Sequence, residues 1–402
     1  MSIFKSISTA SFISLLSAVA SLLLTIILAK ASNPLEYGAY LKYIAWASLL
    51  ITIIDFASEK AFVHFALDKK NGVIGALSCI FTLKIFLLFL FIFINSLMFA
   101  LGFVYLPWKT FMFVFPALNI GYLFEYYKKN IQYAFIIFFE KFFLLLFNLL
   151  WLSFFDFGMG VYFLYFFITL ISILLQYIFF KNELIGIKLV SKNEVAGYII
   201  KYWPLLVLMI AQLCYGVISR LIIELKFDIE VFANLTIAFQ ILALASILQS
   251  QIDRVFRPLL LEATFDKDKK LFQTYLYKYL LYFTLPLAVL SVLFYFYITP
   301  FIIMVYGQDY SLAGKMLSIL CPIFVSVSLM RLMDIFAIAF DCIKINLNIN
   351  IICSVIMCII LFFLPSNLEL SIFLIVIVAM QYLQIMAFGV VLTSKQRSFF
   401  YD

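Results

Sequence analysis

Twelve separate stretches of this chain are apolar for long enough to cross a bilayer, near residues 9–29, 39–58, 80–104, 108–125, 134–155, 160–180, 200–222, 231–250, 278–299, 313–335, 346–364 and 370–392. A hydrocarbon core about 30 Å thick takes roughly 20 apolar residues per helix. Twelve crossings therefore use well over half of the 402 residues and leave only short connectors. Each run is continuous rather than alternating, which predicts helices and not barrel strands, since a helix satisfies its own backbone in lipid. The expectation is an all-α polytopic membrane protein with no space for a soluble catalytic domain.

Charge enters as topology. The 28 Lys+Arg exceed the 21 Asp+Glu, a balance that in a soluble protein would suggest nucleic acid. Here the basic residues sit at the ends of apolar runs, where they set orientation. With the N-terminus inside, nineteen fall at cytoplasmic ends and loops, among them Lys60, Lys69, Lys70, Lys128, Lys129, Lys267, Lys269 and Lys270. Only five, Lys30, Lys109, Arg220, Lys226 and Lys315, fall outside. This asymmetry predicts both termini inside, an even helix count and a cytoplasmic connector at Pro258–Thr274. The stretch Met1–Lys30 reads as a signal anchor that is retained. Cys79, Cys214, Cys321, Cys342, Cys353 and Cys358 lie in or beside apolar runs without metal-binding spacing, so no metal and no cofactor is expected. The chain also lacks a G-x-x-x-x-G-K-[ST] loop, so ATP does not drive it directly.

A faint internal repeat divides the chain. Glu36-Tyr37-Gly38-Ala39-Tyr40 opens the second run as Glu230-Val231-Phe232-Ala233-Asn234 opens the eighth, and both follow an odd-numbered run. This predicts two six-helix halves, 1–190 and 191–402, of parallel topology and related by a pseudo-two-fold axis along the membrane normal.

The order and spacing of several short motifs resemble those of a known family. Leu28-Ala29-Lys30, Pro34-Leu35-Glu36-Tyr37-Gly38-Ala39-Tyr40 and Asp55-Phe56 resemble the opening of the Wzx-type O-antigen and polysaccharide-biosynthesis flippases. These belong to the multidrug/oligosaccharidyl-lipid/polysaccharide exporter superfamily. Phe256-Arg257-Pro258 and Tyr306-Gly307-Gln308-Asp309-Tyr310 resemble the family's punctuation between spans. Two positions depart from it. Ala57 stands where many relatives have Gly, and Ser219 stands where many have an acidic residue before Arg220.

The resemblance implies a flippase in a bacterial inner membrane, acting by alternating access. Its substrate would be a polyprenyl-pyrophosphate-linked oligosaccharide, and a polysaccharide polymerase and a chain-length regulator are partners it allows. Such cargo asks for a polar cavity, with cations for the pyrophosphate and amides, hydroxyls and aromatic faces for the sugars. Within the spans the candidates begin with Lys84, which either lines the cavity or snorkels to headgroups, and Arg331 with Asp334, an i,i+3 pair that reads as a structural ion pair, a gate or a ligand. Arg254 and Arg257 share a helix face as anchors or ligands, and Lys42 and Asp55 stand at opposite ends of the second span. Gln212, Arg220 and Asn119 suit sugars or polar helix packing equally. Glu140-Lys141 and Glu125 read as interfacial groups near inner helix ends.

Other classes fit less well. His64, the only histidine, stands one residue too near Asp68 for the H-x-x-x-x-D acyltransferase pattern, and Asp156-Phe157-Gly158 lies in a short turn without kinase context. A cation-coupled drug exporter of the same superfamily is the alternative within transport. A membrane O-antigen polymerase is the rival from another class, disfavoured by short outer connectors.

Overall fold

The structure, a computed structural model, describes residues 3–66, 72–101, 106–266, 268–340 and 342–401. Lys69, Lys70, Asp68 and Lys267 lie outside the described residues, as do the side chains of His64 and Arg254. The described residues are mostly helical, with no strand among them.

In chain order the helices are α1 (Ile3–Lys30), α2 (Pro34–Asp55), α3 (Ser58–Ala66), α4 (Gly72–Ala100), α5 (Trp108–Met112), α6 (Gly121–Tyr126), α7 (Asn130–Phe154), α8 (Met159–Phe179), α9 (Lys192–Leu213), α10 (Ser219–Glu224), α11 (Ile229–Phe265), α12 (Lys269–Tyr279), α13 (Leu285–Tyr306), α14 (Ser311–Leu320), α15 (Ile323–Ala339), α16 (Ile343–Phe363) and α17 (Leu370–Tyr401). Short π-helical turns at Cys214–Ile218 and Leu280–Thr284 join α9 to α10 and α12 to α13. Nine of the resulting segments are long and apolar enough to cross a membrane, or ten if α14 and α15, bent by 47° at their junction, form one span. Two of the twelve apolar runs remain. One is α11, and the other is the broken stretch from α5 to α6.

The helices gather into two compact units, one of residues 1–32 and 40–210, the other of residues 33–39 and 211–402. In the first unit α1 and α8 pack on α7, and a buried cluster gathers Phe62, Leu77, Ile80, Leu123, Phe124 and Phe180 with Tyr198 from α9. In the second, α11 packs against α14 and α15, and α13 against α14.

Local chemistry fixes where the helices start and stop. At the head of α2, Asn33 Oδ1 accepts the Glu36 N–H at 2.8 Å while Pro34 occupies the first helical position, where no donor is lost. Asp268 caps α12 in the same way through Leu271 N–H at 2.9 Å. The expected connector at 258–274 is accordingly almost all helix, with only 266–268 outside α11 and α12.

Gly38 is required by packing. A Cβ there would stand 2.6 Å from Ile229 O and 3.3 Å from Ala233 Cβ, so the two segments matched as an internal repeat touch through the absent side chain. Gly314 similarly lies against the Thr299 backbone, whose α-carbon is 2.6 Å from where a Cβ would be.

Candidate functional site

The fourth apolar run does not fold as the single helix expected over 108–125. It is α5, a 3-10 turn at Phe115–Leu118 and α6, interrupted at Pro116, which brings no N–H to a helical ladder, and at Asn119, whose backbone leaves the helical region at ψ 140°. Backbone freed inside a membrane must find other partners, and the neighbouring spans supply them. The Leu118 carbonyl accepts from Tyr177 OH at 3.2 Å, the Asn119 carbonyl from Lys84 Nζ at 3.1 Å, and the Ile120 N–H donates to Gln176 Oε1 at 3.2 Å. Asn119 turns its own side chain to the same end, taking the Gly121 N–H at 2.6 Å and donating to Tyr133 OH at 2.9 Å.

Lys84 stands at the centre of this arrangement. Its ammonium is 2.7 Å from Asp55 Oδ1 and 5.2 Å from the centre of the Tyr122 ring, and the residue is 2% exposed. Asp55 also accepts from Ser58 Oγ across the kink that ends α2. That kink is made by Phe56 and Ala57, at φ 46° and 59°, a left-handed turn that L-residues adopt at a cost. Three separately expected candidates, Lys84, Asp55 and Asn119, thus belong to one cluster in the first unit. Lys84 does not snorkel. It is the thirteenth of 29 residues in α4, about 18 Å along the helix from Gly72.

A second ionic pair lies in the same unit. Glu140 Oε1 and Lys141 Nζ are 2.7 Å apart, with the Glu140 side chain 8% exposed. Glu140 is the eleventh of 25 residues in α7, so the pair is near mid-helix and not at an interfacial end as expected. Facing it, α8 carries Tyr162, Tyr165, Thr169, Ser172 and Gln176, an alternating three- and four-residue spacing that keeps one polar stripe on one helix face. Of these, Tyr162, Thr169, Ser172 and Gln176 are buried. Near the start of that stripe Lys109 Nζ lies 5.0 Å from the Tyr162 ring centre and 5.9 Å from that of Tyr43. The spacing on α8 is readable in the sequence but inconspicuous among so many aromatic residues. The Glu140–Lys141 pair stands out there, though not its depth along the helix.

The remaining candidates are scattered. Lys42 is half-buried on α2. In the second unit, Arg220 is half-buried, donates through Nε to Gly216 O at 2.7 Å and lies 5.4 Å from the centre of the Phe239 ring. Gln212, Arg257 and Arg331 are exposed. Asp334 accepts from Asn346 Nδ2 of α16 at 2.9 Å, which ties it to the neighbouring span. No cluster of His, Cys, Asp or Glu suited to a metal occurs among the described residues.

No protein-family model and no curated protein matches the sequence. Solved structures do match over nearly the whole chain. An inward-facing multidrug resistance MATE family transporter of the MOP superfamily superposes with a TM-score of 0.62 at 12% identity, covering 99% of this chain and 96% of that one. The fold is that of the MATE-type transporters. A Pyrococcus furiosus transporter of the MOP superfamily, described as having a binding pocket of reverse polarity, gives 0.59 at 14% identity over 98% and 96% of the two chains. A Vibrio cholerae MATE transporter gives 0.58 at 9% over 99% and 98%. The chain is therefore a multi-pass membrane protein whose MATE-type fold holds a set of ionic and hydroxyl groups inside its first unit.

Proposed function

We propose that the protein is an alternating-access transporter of polyprenyl-pyrophosphate-linked oligosaccharides, moving them from the cytoplasmic to the periplasmic face of a bacterial inner membrane with both termini cytoplasmic. The observation that carries this reading is the interior of the first unit. There a broken span, two ion pairs and a polar stripe occupy positions that a purely apolar bundle would fill with Leu and Phe. Charged groups at a helix centre cost about 2.5–3.5 kcal/mol each on insertion scales, so their presence marks a path for polar cargo. The family motifs at Pro34–Tyr40 and Tyr306–Tyr310 support the lipid-linked oligosaccharide as that cargo.

The second reading, a drug exporter, draws support from two of the three superposed transporters being MATE proteins, one of them a multidrug resistance transporter. One experiment separates the two. Cells lacking the protein should accumulate lipid-linked repeat units on the cytoplasmic face, with unchanged susceptibility to cationic drugs. Raised susceptibility with normal surface polysaccharide would establish the exporter instead. Short unpolymerised units reaching the surface would indicate a polymerase.

A further inference from the structure

Two buried hydroxyls one turn apart in α8, like the single Thr236 in α11, depart from the pattern that most described helical hydroxyls follow. Serines and threonines in apolar helices ordinarily donate to the carbonyl four residues back, and Ser17, Ser48, Thr52, Thr82, Thr264 and Ser318 all do so, at 2.7–3.0 Å. Thr169 Oγ1 and Ser172 Oγ do not. They are 2% and 3% exposed and bond to no helix carbonyl, and the Tyr165 hydroxyl lies beside Thr169. Buried polar atoms left unpaired are expensive, so two neighbouring ones on a single helix face point to a missing ligand.

Helix register shows what stands across from them. α7 and α8 are joined by only 155–158, and Gly160 sits against Trp151, whose ring would lie 2.1 Å from a Cβ at that glycine. Counting equal rises from this crossing puts Lys141 level with position 170, between Thr169 and Ser172. Glu140 and Lys141 also act electrostatically on Tyr165, which lies one turn before Thr169 on the same face of α8, so the pair stands on the side of α8 that carries the two hydroxyls. Its net charge is zero, and the ammonium repels a metal cation while the carboxylate repels an anion. What remains is a neutral ligand with both donors and acceptors on adjacent atoms. Tyr165, whose ring packs 4.6 Å from Phe113, supplies an aromatic surface one turn away. Farther along α7, about 10 Å on, Asn148 Oδ1 is also buried and unpartnered, which extends the seam.

We propose that the α7–α8 seam at Glu140, Lys141, Thr169 and Ser172 is a subsite for an uncharged polyhydroxyl ring, a pyranose of the transported head group. The assignment rests on the transporter reading above and narrows which part of the cargo the first unit holds. The test uses the purified full chain in nanodiscs and two probes, a ten-carbon prenyl N-acetylglucosaminide with no phosphate and ten-carbon prenyl pyrophosphate with no sugar. Thr169→Val with Ser172→Ala should weaken binding of the glycoside roughly tenfold, the loss expected for two neutral hydrogen bonds. Pyrophosphate binding should be unchanged, and the melting temperature unchanged or higher, since unpaired polar atoms have been removed.

Wild-type glycoside affinity in the double variant, an equal loss for both probes, or a lowered melting temperature would each overturn the subsite, as would a wild-type protein that does not bind the glycoside. If the wild type ignores prenyl pyrophosphate but its glycoside binding still depends on the two hydroxyls, the subsite stands. In that case the lipid-pyrophosphate reading falls.

Discussion

The two units solve the same problem with different chemistry. Each must bury polar groups inside a bundle that lipid surrounds. Among the described residues of the second unit the buried polar side chains are neutral and several are paired across helices, as Asn234 Oδ1 with Ala313 N–H at 2.9 Å, Ser326 with Gln381 at 2.5 Å and Thr284 with Ser328 at 2.8 Å. Among the described residues, buried charge occurs only in the first unit, at Lys84 and Glu140, and that unit also holds the left-handed non-glycines Phe56, Ala57 and Lys128. The left-handed position of the second unit is a glycine, Gly307. Neutral pairs fix helices against one another at modest electrostatic cost. Buried ion pairs are weak contributors to net stability, so their concentration in one unit fits the polar cargo proposed above better than it fits a purely structural role.

The difference is testable by removing one member of a pair in each unit. Lys84→Ala should be the most damaging, lowering stability by about 3–5 kcal/mol because Asp55, 13% exposed, is left as an uncompensated carboxylate. A drop in melting temperature of the purified protein measures this, and adding Asp55→Leu should recover much of it. Undiminished stability in Lys84→Ala would mean that Asp55 is solvated and that the contrast between the units is false. Gly38→Ala comes next in the second unit, at about 1–3 kcal/mol, since the new methyl meets the Ile229 carbonyl and backbone yields less readily than a side chain. Ser326→Ala should cost less, about 1–2 kcal/mol, by leaving the Gln381 carbonyl oxygen without its donor. A loss from Ser326→Ala as large as that from Lys84→Ala would erase the distinction between neutral and ionic interiors.

Much of the architecture is legible in the sequence because apolar length decides it, and all twelve runs correspond to helical segments. The site is legible only in pieces. Lys84 and Glu140 each read as helix-end residues because hydropathy marks the apolar stretch and not the helix. α4 starts at Gly72, eight residues before the apolar run at 80, and α7 starts at Asn130, four before the run at 134. The added turns, 72–79 in α4 and 130–133 in α7, move both residues inward by one or two turns. The pairing of Lys84 with Asp55 and the Asn119 carbonyl cannot be read at all. It depends on a broken helix whose free carbonyl appears only where the ladder stops between Pro116 and Asn119. The exchange of Gly for Ala57 is visible as a departure from the family pattern, but its meaning, a left-handed backbone at that position, is a fact of three dimensions.

The smallest effect sharpens the comparison on the side of strain. Lys128 ends α6 in a left-handed turn at φ 57°, with its own N–H bonded to Glu125 O at 3.0 Å and the Lys129 N–H to Phe124 O at 2.7 Å, a geometry that glycine ordinarily occupies. Replacing either Lys128 or Ala57 by glycine relieves about 1–2 kcal/mol of backbone strain and gives back about 0.4–1 kcal/mol through the freer unfolded chain. For the exposed Lys128 little else changes, so Lys128→Gly should stabilise the protein by about 0.5–1 kcal/mol. Ala57 is fully buried, and losing its methyl removes about 0.8 kcal/mol of burial as well. Ala57→Gly should therefore be close to neutral in melting temperature even though the backbone there favours glycine. A clear gain from Ala57→Gly would show that the kink beside Asp55 carries more strain than one left-handed alanine, and that the first unit holds its Lys84–Asp55 pair against a distorted backbone.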